Sequence, residues 1–190
     1  VAASDNAKQE IEAANHPRIR HIKIPHVPAD KPQNDVTTNG WQECTPATAG
    51  NFTAVGYYFG RFLQQELDVP VGLLGSNWGG TRIEPWTPPV GFQKVAVKDV
   101  SDKLDSFPAK TADGKINHQS ALALYNGMIH PLVPYGMKGA IWYQGESNAG
   151  KPIEYRSLFA EMIQDWRKRW GHDFPFYCVQ LAPFQAGNPN

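Results

Sequence analysis

Short apolar runs that stop at polar turns, separated by longer amphipathic segments, set the strongest limit on what this chain can become. VGLLG (71–75) runs into SNWGGT, and KGAIWYQ (138–144) runs into GESN. RIRHIKI (18–24) and PFYCVQLAP (175–183) are runs of the same kind. Each has strand length, and Ile22 and Ile24 are expected on one face of the first. Between the runs lie segments that read as helices. Residues 2–14 are rich in Ala, Lys, Gln and Glu, with no breaker before Pro17. In 51–67, Val55, Tyr58, Phe59, Phe62, Leu63 and Leu67 recur at helical spacing. Residues 118–130 read as a helix stopped by Pro131. Residues 152–170 open on Pro152, repeat Leu158, Phe159, Met162, Ile163, Trp166 and Trp170, and end at Gly171.

The order is therefore helix then strand, four times over. Strands alternating with helices predict an α/β fold with a parallel sheet covered on both faces. Segments 25–50 and 84–117, rich in Pro and polar residues, are expected to be loop excursions from one domain covering residues 1–190. In open α/β sheets ligands bind at the carboxyl ends of the strands. Two such ends carry unusual polar chemistry here, Ser76–Thr81 and Gln144–Asn148, and they are expected on the same edge.

Composition narrows the partners. Lys+Arg and Asp+Glu both number 18 among 190 residues, so the formal net charge is zero. No basic stripe points to nucleic acid or to an anionic membrane. An uncharged partner such as a sugar fits this balance, as do many others. No apolar run approaches the roughly 18–20 residues that span a bilayer, and VAASDNAKQE shows no signal-peptide core. There is no P-loop, no G-x-G-x-x-G and no paired-His metal spacing, so no cofactor or metal is expected. Cys44 and Cys178 fit either one long-range disulfide or two free thiols. The sequon Asn51-Phe52-Thr53 reads as chance.

The polar turns offer competing readings. Gly145-Glu146-Ser147-Asn148-Ala149 approximates a nucleophile elbow, with Ala in the last position. Ser147 or Asn148 could instead cap the following helix or make hydrogen bonds within the loop. Gly75-Ser76-Asn77-Trp78-Gly79 fits the same pattern on paper. The pair Gly79-Gly80 lets backbone N–H groups approach a ligand closely, as an oxyanion hole requires. A tight turn without chemistry would use the same pair. Gln144 and Glu146, two residues apart, would point to one side of a strand end. There the amide could donate to an oxyanion and the carboxylate could order nearby N–H groups. Six histidines (His16, His21, His26, His118, His130, His172) could supply a base, but no motif frames any of them.

VGLLGSNWGGTRIEPW (71–86), YNGMIHPLVP (125–134) and GAIWYQGESNA (139–149) together resemble the sialate O-acetylesterase family of SGNH-type hydrolases. The resemblance implies a three-layer α/β/α domain of flavodoxin-like type that hydrolyses acetyl esters on sugars. A Ser–His–Asp set would do the chemistry, with no cofactor, on an O-acetylated sugar or glycan. Carried over residue by residue, Gly79 or Gly80 would supply an oxyanion N–H and Gln144 an amide donor. Glu146 would brace the loop that bears the serine. Trp78, Trp86 and Trp142 would be pocket walls, and Arg82 could meet a carboxylate. Secretion or a periplasmic location is implied by the family alone.

The resemblance also marks what is missing. The family's G-Q-S-N nucleophile block precedes the segment matched by 2–14, and its Asp-x-x-His block follows that matched by 175–183. The expectation is the middle of a domain, with part of the oxyanion hole and without the catalytic set. Two rivals remain. One is an α/β-hydrolase arrangement of Ser147 with His130 or His172, with Asp165 fitting by order. The other is a non-catalytic module that binds acetylated glycans.

Overall fold

The computed structural model describes residues 1–182, and the chain divides into two compact units. The first comprises Val1–Val27 and Asn34–Trp78, the second Pro28–Gln33 and the chain from Gly79 onward. Pro183, the last residue of the expected final strand, lies outside the described residues. Helices and parallel strand pairs alternate along the chain, so the class is α/β as the sequence pattern predicts.

The first unit holds α1 (Ala7–Glu12), β1 (His16–Lys23), β2 (Gln42–Cys44), α2 (Ala54–Leu67) and β3 (Val71–Gly75). Strand order is β2-β1-β3. β1 and β3 are parallel, from Ile19 opposite Val71 to Lys23 opposite Gly75. β2 pairs antiparallel with β1 and lies inside the segment read as a loop excursion. Within β1 the buried residues are Ile19 and His21, while Ile22 is half-buried and Ile24, just past the strand end, is buried as well. Side chains alternate along a strand, so placing Ile19 in the core puts Ile22 on the other face.

α2 also turns a different side inward. Phe62 and Leu67 are both exposed, while Gly56, Tyr57 and Gly60 are buried. The glycines let the helix lie against Leu73, for a Cβ on Gly60 would sit 3.2 Å from Leu73 Cδ2. Backbone proximity, invisible to a count of apolar residues, decides which face packs. Asp68, left-handed at the helix end, pairs with Arg18.

The second unit holds α3 (Pro89–Lys94), β4 (Ala140–Trp142), α4 (Pro152–Trp170) and β5 (Phe176–Cys178). β4 and β5 pair in parallel, Ala140 with Phe176 and Trp142 with Cys178. α4 buries Leu158, Met162 and Trp166 and ends at Gly171, as its spacing predicts, while Phe159, Ile163 and Trp170 are half-buried and Asp165 is buried instead. Its Phe159 lies 5.6 Å and its Trp166 6.1 Å, ring to ring, from Trp142. The 84–117 excursion contains α3 and tight turns at Glu84–Trp86 and Ser101–Ser106.

Residues 118–130 do not form the expected helix. The chain turns at Leu122, whose φ is +70°, and a single π turn follows at Tyr125–Ile129. The hydrogen bonds explain the difference. The carbonyls of Ala123 and Asn126 accept the N–H groups of Ala29 and Gln33, and Leu122 N–H donates to Glu84 O. Backbone groups that an α-helix would pair internally are committed elsewhere.

Two outcomes follow from this packing. Met162 is fully buried, so Met162→Ala is expected to cost about 3 kcal/mol, read from urea denaturation. His21 is 2% exposed and stacks on Phe52 at 4.7 Å. Burial first, then the charge of Lys23, pushes its pKa down to about 4. The unfolded imidazole binds its proton near pH 6.5 and the folded one does not, so stability falls as pH drops from 6.5 towards 4. The loss from this group approaches about 3 kcal/mol at pH 4. His21→Leu should flatten that slope in denaturation curves taken between pH 4 and 7. An unchanged slope would assign the acid sensitivity to other groups.

Candidate active site

Two polar turns meet in the second unit, Gly79–Thr81 and the Gly145–Asn148 turn that follows β4. Gln144 leaves the end of β4 and donates Nε2–H to Thr81 O at 3.0 Å and to Asn148 Oδ1 at 2.9 Å. Asn148 Oδ1 also accepts the Ile83 N–H at 2.9 Å, and Asn148 Nδ2 donates to Glu84 Oε2 at 2.9 Å. Ser147 Oγ donates to Gly80 O at 3.1 Å. A backbone carbonyl only accepts and a backbone N–H only donates, so Thr81 and Ile83 fix both amide orientations.

Glycine is required at Gly145. Its φ is +147°, and a Cβ there would sit 2.9 Å from Leu181 Cδ1. Tyr155, from the first turn of α4, donates to Gln144 O at 3.0 Å and accepts the Trp142 indole N–H at 3.2 Å. Burial raises the Tyr155 pKa above the usual phenol value, so the group is a neutral donor. Beside these residues lies a cleft of about 330 Å³ lined chiefly by Trp142, Gln144, Tyr155, Phe159, Cys178 and Leu181. Burial also raises the pKa of the Cys178 thiol. Both cysteines are free.

The expected site residues fall into distinct environments. Gly79 and Gly80 are exposed, Gly80 has φ +75°, and no atom would crowd a Cβ at either. Among the described residues no acceptor takes their N–H groups. Gln144 is in place, but both hydrogens of its amide are given to Thr81 and Asn148. Its Oε1 is buried without a partner among the described residues. Glu146 is exposed and opens the short helical turn Glu146–Asn148 just after Gly145. Arg82 is exposed and donates to Gln119 O at 3.2 Å. Trp142 lines the cleft. Trp86 is no pocket wall: it is 4% exposed, and its indole N–H donates to Thr81 Oγ1 at 2.9 Å inside the core. Trp78 belongs to the first unit, stacked on His26 at 4.1 Å.

Of the two roles expected for Ser147 and Asn148, helix cap or loop hydrogen bonding, the structure shows the second. Lys151 precedes α4, no side chain caps it, and Asn148 spends its amide on the clamp. Ser147 gives its proton to a carbonyl, whereas an activated serine gives it to a base. His130 Nδ1 is engaged by Gln33 O, and His172 by Trp170 O and Met137 O. Sequence reasoning missed Thr81, Glu84 and Tyr155. The one available signal was Glu84, an acid inside the otherwise apolar Ile83-Glu84-Pro85-Trp86. No cluster of metal-ligating side chains occurs among the described residues.

The chain has relatives that bear on this arrangement. A family model described as "Carbohydrate esterase, sialic acid-specific acetylesterase" matches residues 5–189. Sialate O-acetylesterase of Mus musculus is 31% identical over 222 residues, covering 96% of this chain and 40% of the relative. That of Homo sapiens is 32% identical over 194 residues, covering 93% and 36%. A crystal structure of a carbohydrate acetylesterase from Xanthomonas citri superposes with a TM-score of 0.82 at 39% identity. It covers 100% of this chain and 39% of its own. The chain thus spans roughly two-fifths of the length of the relatives it matches. With a family match over nearly its whole length, this chain belongs to the sialic acid-specific acetylesterase family of carbohydrate esterases.

Proposed function

We propose that the chain forms part of the active site of an esterase that removes acetyl groups from O-acetylated sugars, sialic acids among them. The observation that carries the reading is the junction of the Gly79–Thr81 and Gly145–Asn148 turns in a chain of this family. Hydrolysis of an acetyl ester passes through a tetrahedral oxyanion, which needs donors placed before the charge develops. The N–H groups of Gly79 and Gly80 are exposed and uncommitted among the described residues, so they are the donors available for it. Gln144 holds the carbonyl side of that turn by its bond to Thr81. A second amide donor would be gained if Gln144 exchanged one of its two bonds for the oxyanion.

The attacking serine, with its His and Asp, lies outside these 190 residues in this proposal. Support comes from the motif order of the family and from the hydrogen bonds of Ser147, His130 and His172, each made to a backbone carbonyl. The serine would attack the acetyl carbon, His would take the serine proton and return it to the sugar oxygen, and water would release acetate from the acyl-enzyme.

A fluorophosphonate probe separates the possibilities. The 190-residue chain should take no label and release acetate from O-acetylated sialic acid or acetylated xylan at no more than background rates. A chain extended at both ends should be labelled on a serine upstream of Val1 and turn over. Label on Ser147 or Ser76 would overturn the reading, and so would saturable glycan binding by the extended chain without acetate release. In the extended chain, Gly145→Ala should lower kcat on the order of 100-fold, since a shift of about 1 Å at such a turn costs that much.

A further inference from the structure

We infer that Asn148 and Glu84 are positioning residues for this reaction, which fix the Gly79–Thr81 turn against Gln144 without touching substrate. The inference rests on the reading just proposed. Both side chains are 6% exposed, and they meet although 64 positions separate them. A buried carboxylate is costly unless it is well satisfied. The donor to the Glu84 carboxylate is Asn148 Nδ2. A carboxylate accepts and does not donate, so Glu84 turns the amide of Asn148 with its nitrogen inward. That leaves Asn148 Oδ1 facing Ile83 N–H and Gln144 Nε2, at 2.9 Å from each.

The consequence is a relay of orientation. Glu84 sets Asn148, Asn148 takes one hydrogen of Gln144, and the other hydrogen of Gln144 then goes to Thr81 O. The Thr81 carbonyl lies two peptide units beyond the one that bears the Gly80 N–H, and Ser147 Oγ holds the Gly80 carbonyl between them, so fixing both restrains the glycine donor through the turn. Loss of Asn148 leaves three groups without a partner at once: the Ile83 N–H, one Gln144 hydrogen and the Glu84 carboxylate. Each is a buried or half-buried polar group, so the turn must shift to regain water. The glycine donors would then move relative to the reacting carbonyl. This route predicts loss in the chemical step with binding spared.

The network can be tested by reversing its polarity. Asn148→Asp opposes two carboxylates across the 2.9 Å contact. In the extended protein, kcat should fall about 100-fold while KM stays within about twofold. Glu84→Gln alone keeps an acceptor for Asn148 Nδ2 and should stay within about threefold of wild type. In the double variant Asn148→Asp/Glu84→Gln, the amide introduced at position 84 donates to the carboxylate introduced at position 148. That carboxylate still accepts from Ile83 and Gln144. The kcat of the double variant should recover to within about tenfold of wild type, a non-additivity expected only of partners in contact. Asn148→Ser, a milder change, covers the case in which the Asn148→Asp protein does not fold.

Two results would overturn the role. One is a folded double variant with kcat no better than Asn148→Asp. The other is an Asn148→Ser protein with lowered Tm but unchanged kcat, which makes the network structural only. Amide exchange at Ile83 in the 190-residue chain reads the network without catalysis: slow in wild type, fast in Asn148→Asp, slow again in the double variant. An extended wild-type protein that deacetylates no sugar overturns the esterase reading and the positioning role with it, whatever the exchange data show.

Discussion

The hydrogen bond from Asn148 Nδ2 to Glu84 Oε2 is the contact on which the arrangement of the second unit's polar turns depends. It joins the turn after β4 to the turn that begins the 84–117 segment, and it lies where water does not compete. Buried polar networks are sensitive to completeness, because each unpaired member carries its full desolvation cost. Here the members serve one another: Asn148 answers Ile83, Gln144 and Glu84, while Gln144 answers Thr81. Trp86 adds to the same turn from beneath, donating to Thr81 Oγ1. The segments Thr-Arg-Ile-Glu-Pro-Trp (81–86) and Gln-Gly-Glu-Ser-Asn (144–148) thus contain the two halves of one clamp.

How far the sequence could be read depended on what each residue's signal was made of. The bounds of α4 and its central stripe were legible, because Pro152, the Leu158–Met162–Trp166 spacing and Gly171 each report a local preference that tertiary packing also uses. The strand cores at Val71–Gly75 and Ala140–Trp142 were legible for the same reason. Residues 118–130 carried a helical apolar pattern but gave their carbonyls to residues 29 and 33, and nothing local records such a partner. α2 was placed correctly and faced wrongly, since Gly56 and Gly60 pack by having no side chain. At the site, Gly79, Gly80, Gln144 and Glu146 stood out because polar or flexible residues at strand ends are unusual. Trp86 was misplaced as a pocket wall because an indole reads alike in a core and in a pocket. Glu84 and Asn148 form a long-range pair, and pairing across the chain is what composition and periodicity leave out.

The aromatic residues behind the cleft have a structural role that precedes any role in binding. A two-stranded parallel sheet is weak on its own. β4 and β5 are held by a cluster of rings, with Trp142, Phe159, Trp166 and Phe176 all within 6.1 Å of a neighbour. Trp142 therefore has two duties: its ring completes this cluster, and its N–H is fixed by Tyr155, which in turn holds Gln144 O. The cleft wall and the polar clamp are thus joined through a single phenol.

That joint bears on which groups can stabilise developing charge. Gln144 is held at its backbone carbonyl by Tyr155 and at its amide by Thr81 and Asn148. To release an N–H towards an oxyanion it would have to surrender a bond to a backbone carbonyl or to a buried amide. The glycine N–H groups carry no such cost, since the turn presents them uncommitted among the described residues. Preorganisation favours donors that need no rearrangement when charge appears. On that ground, in the proposed reaction the Gly79–Gly80 N–H groups would carry the electrostatic work, and Gln144 would contribute mainly by holding the turn. Glycine would then serve at Gly80 for two reasons: φ of +75° suits it, and an absent side chain would leave the N–H open to the proposed substrate.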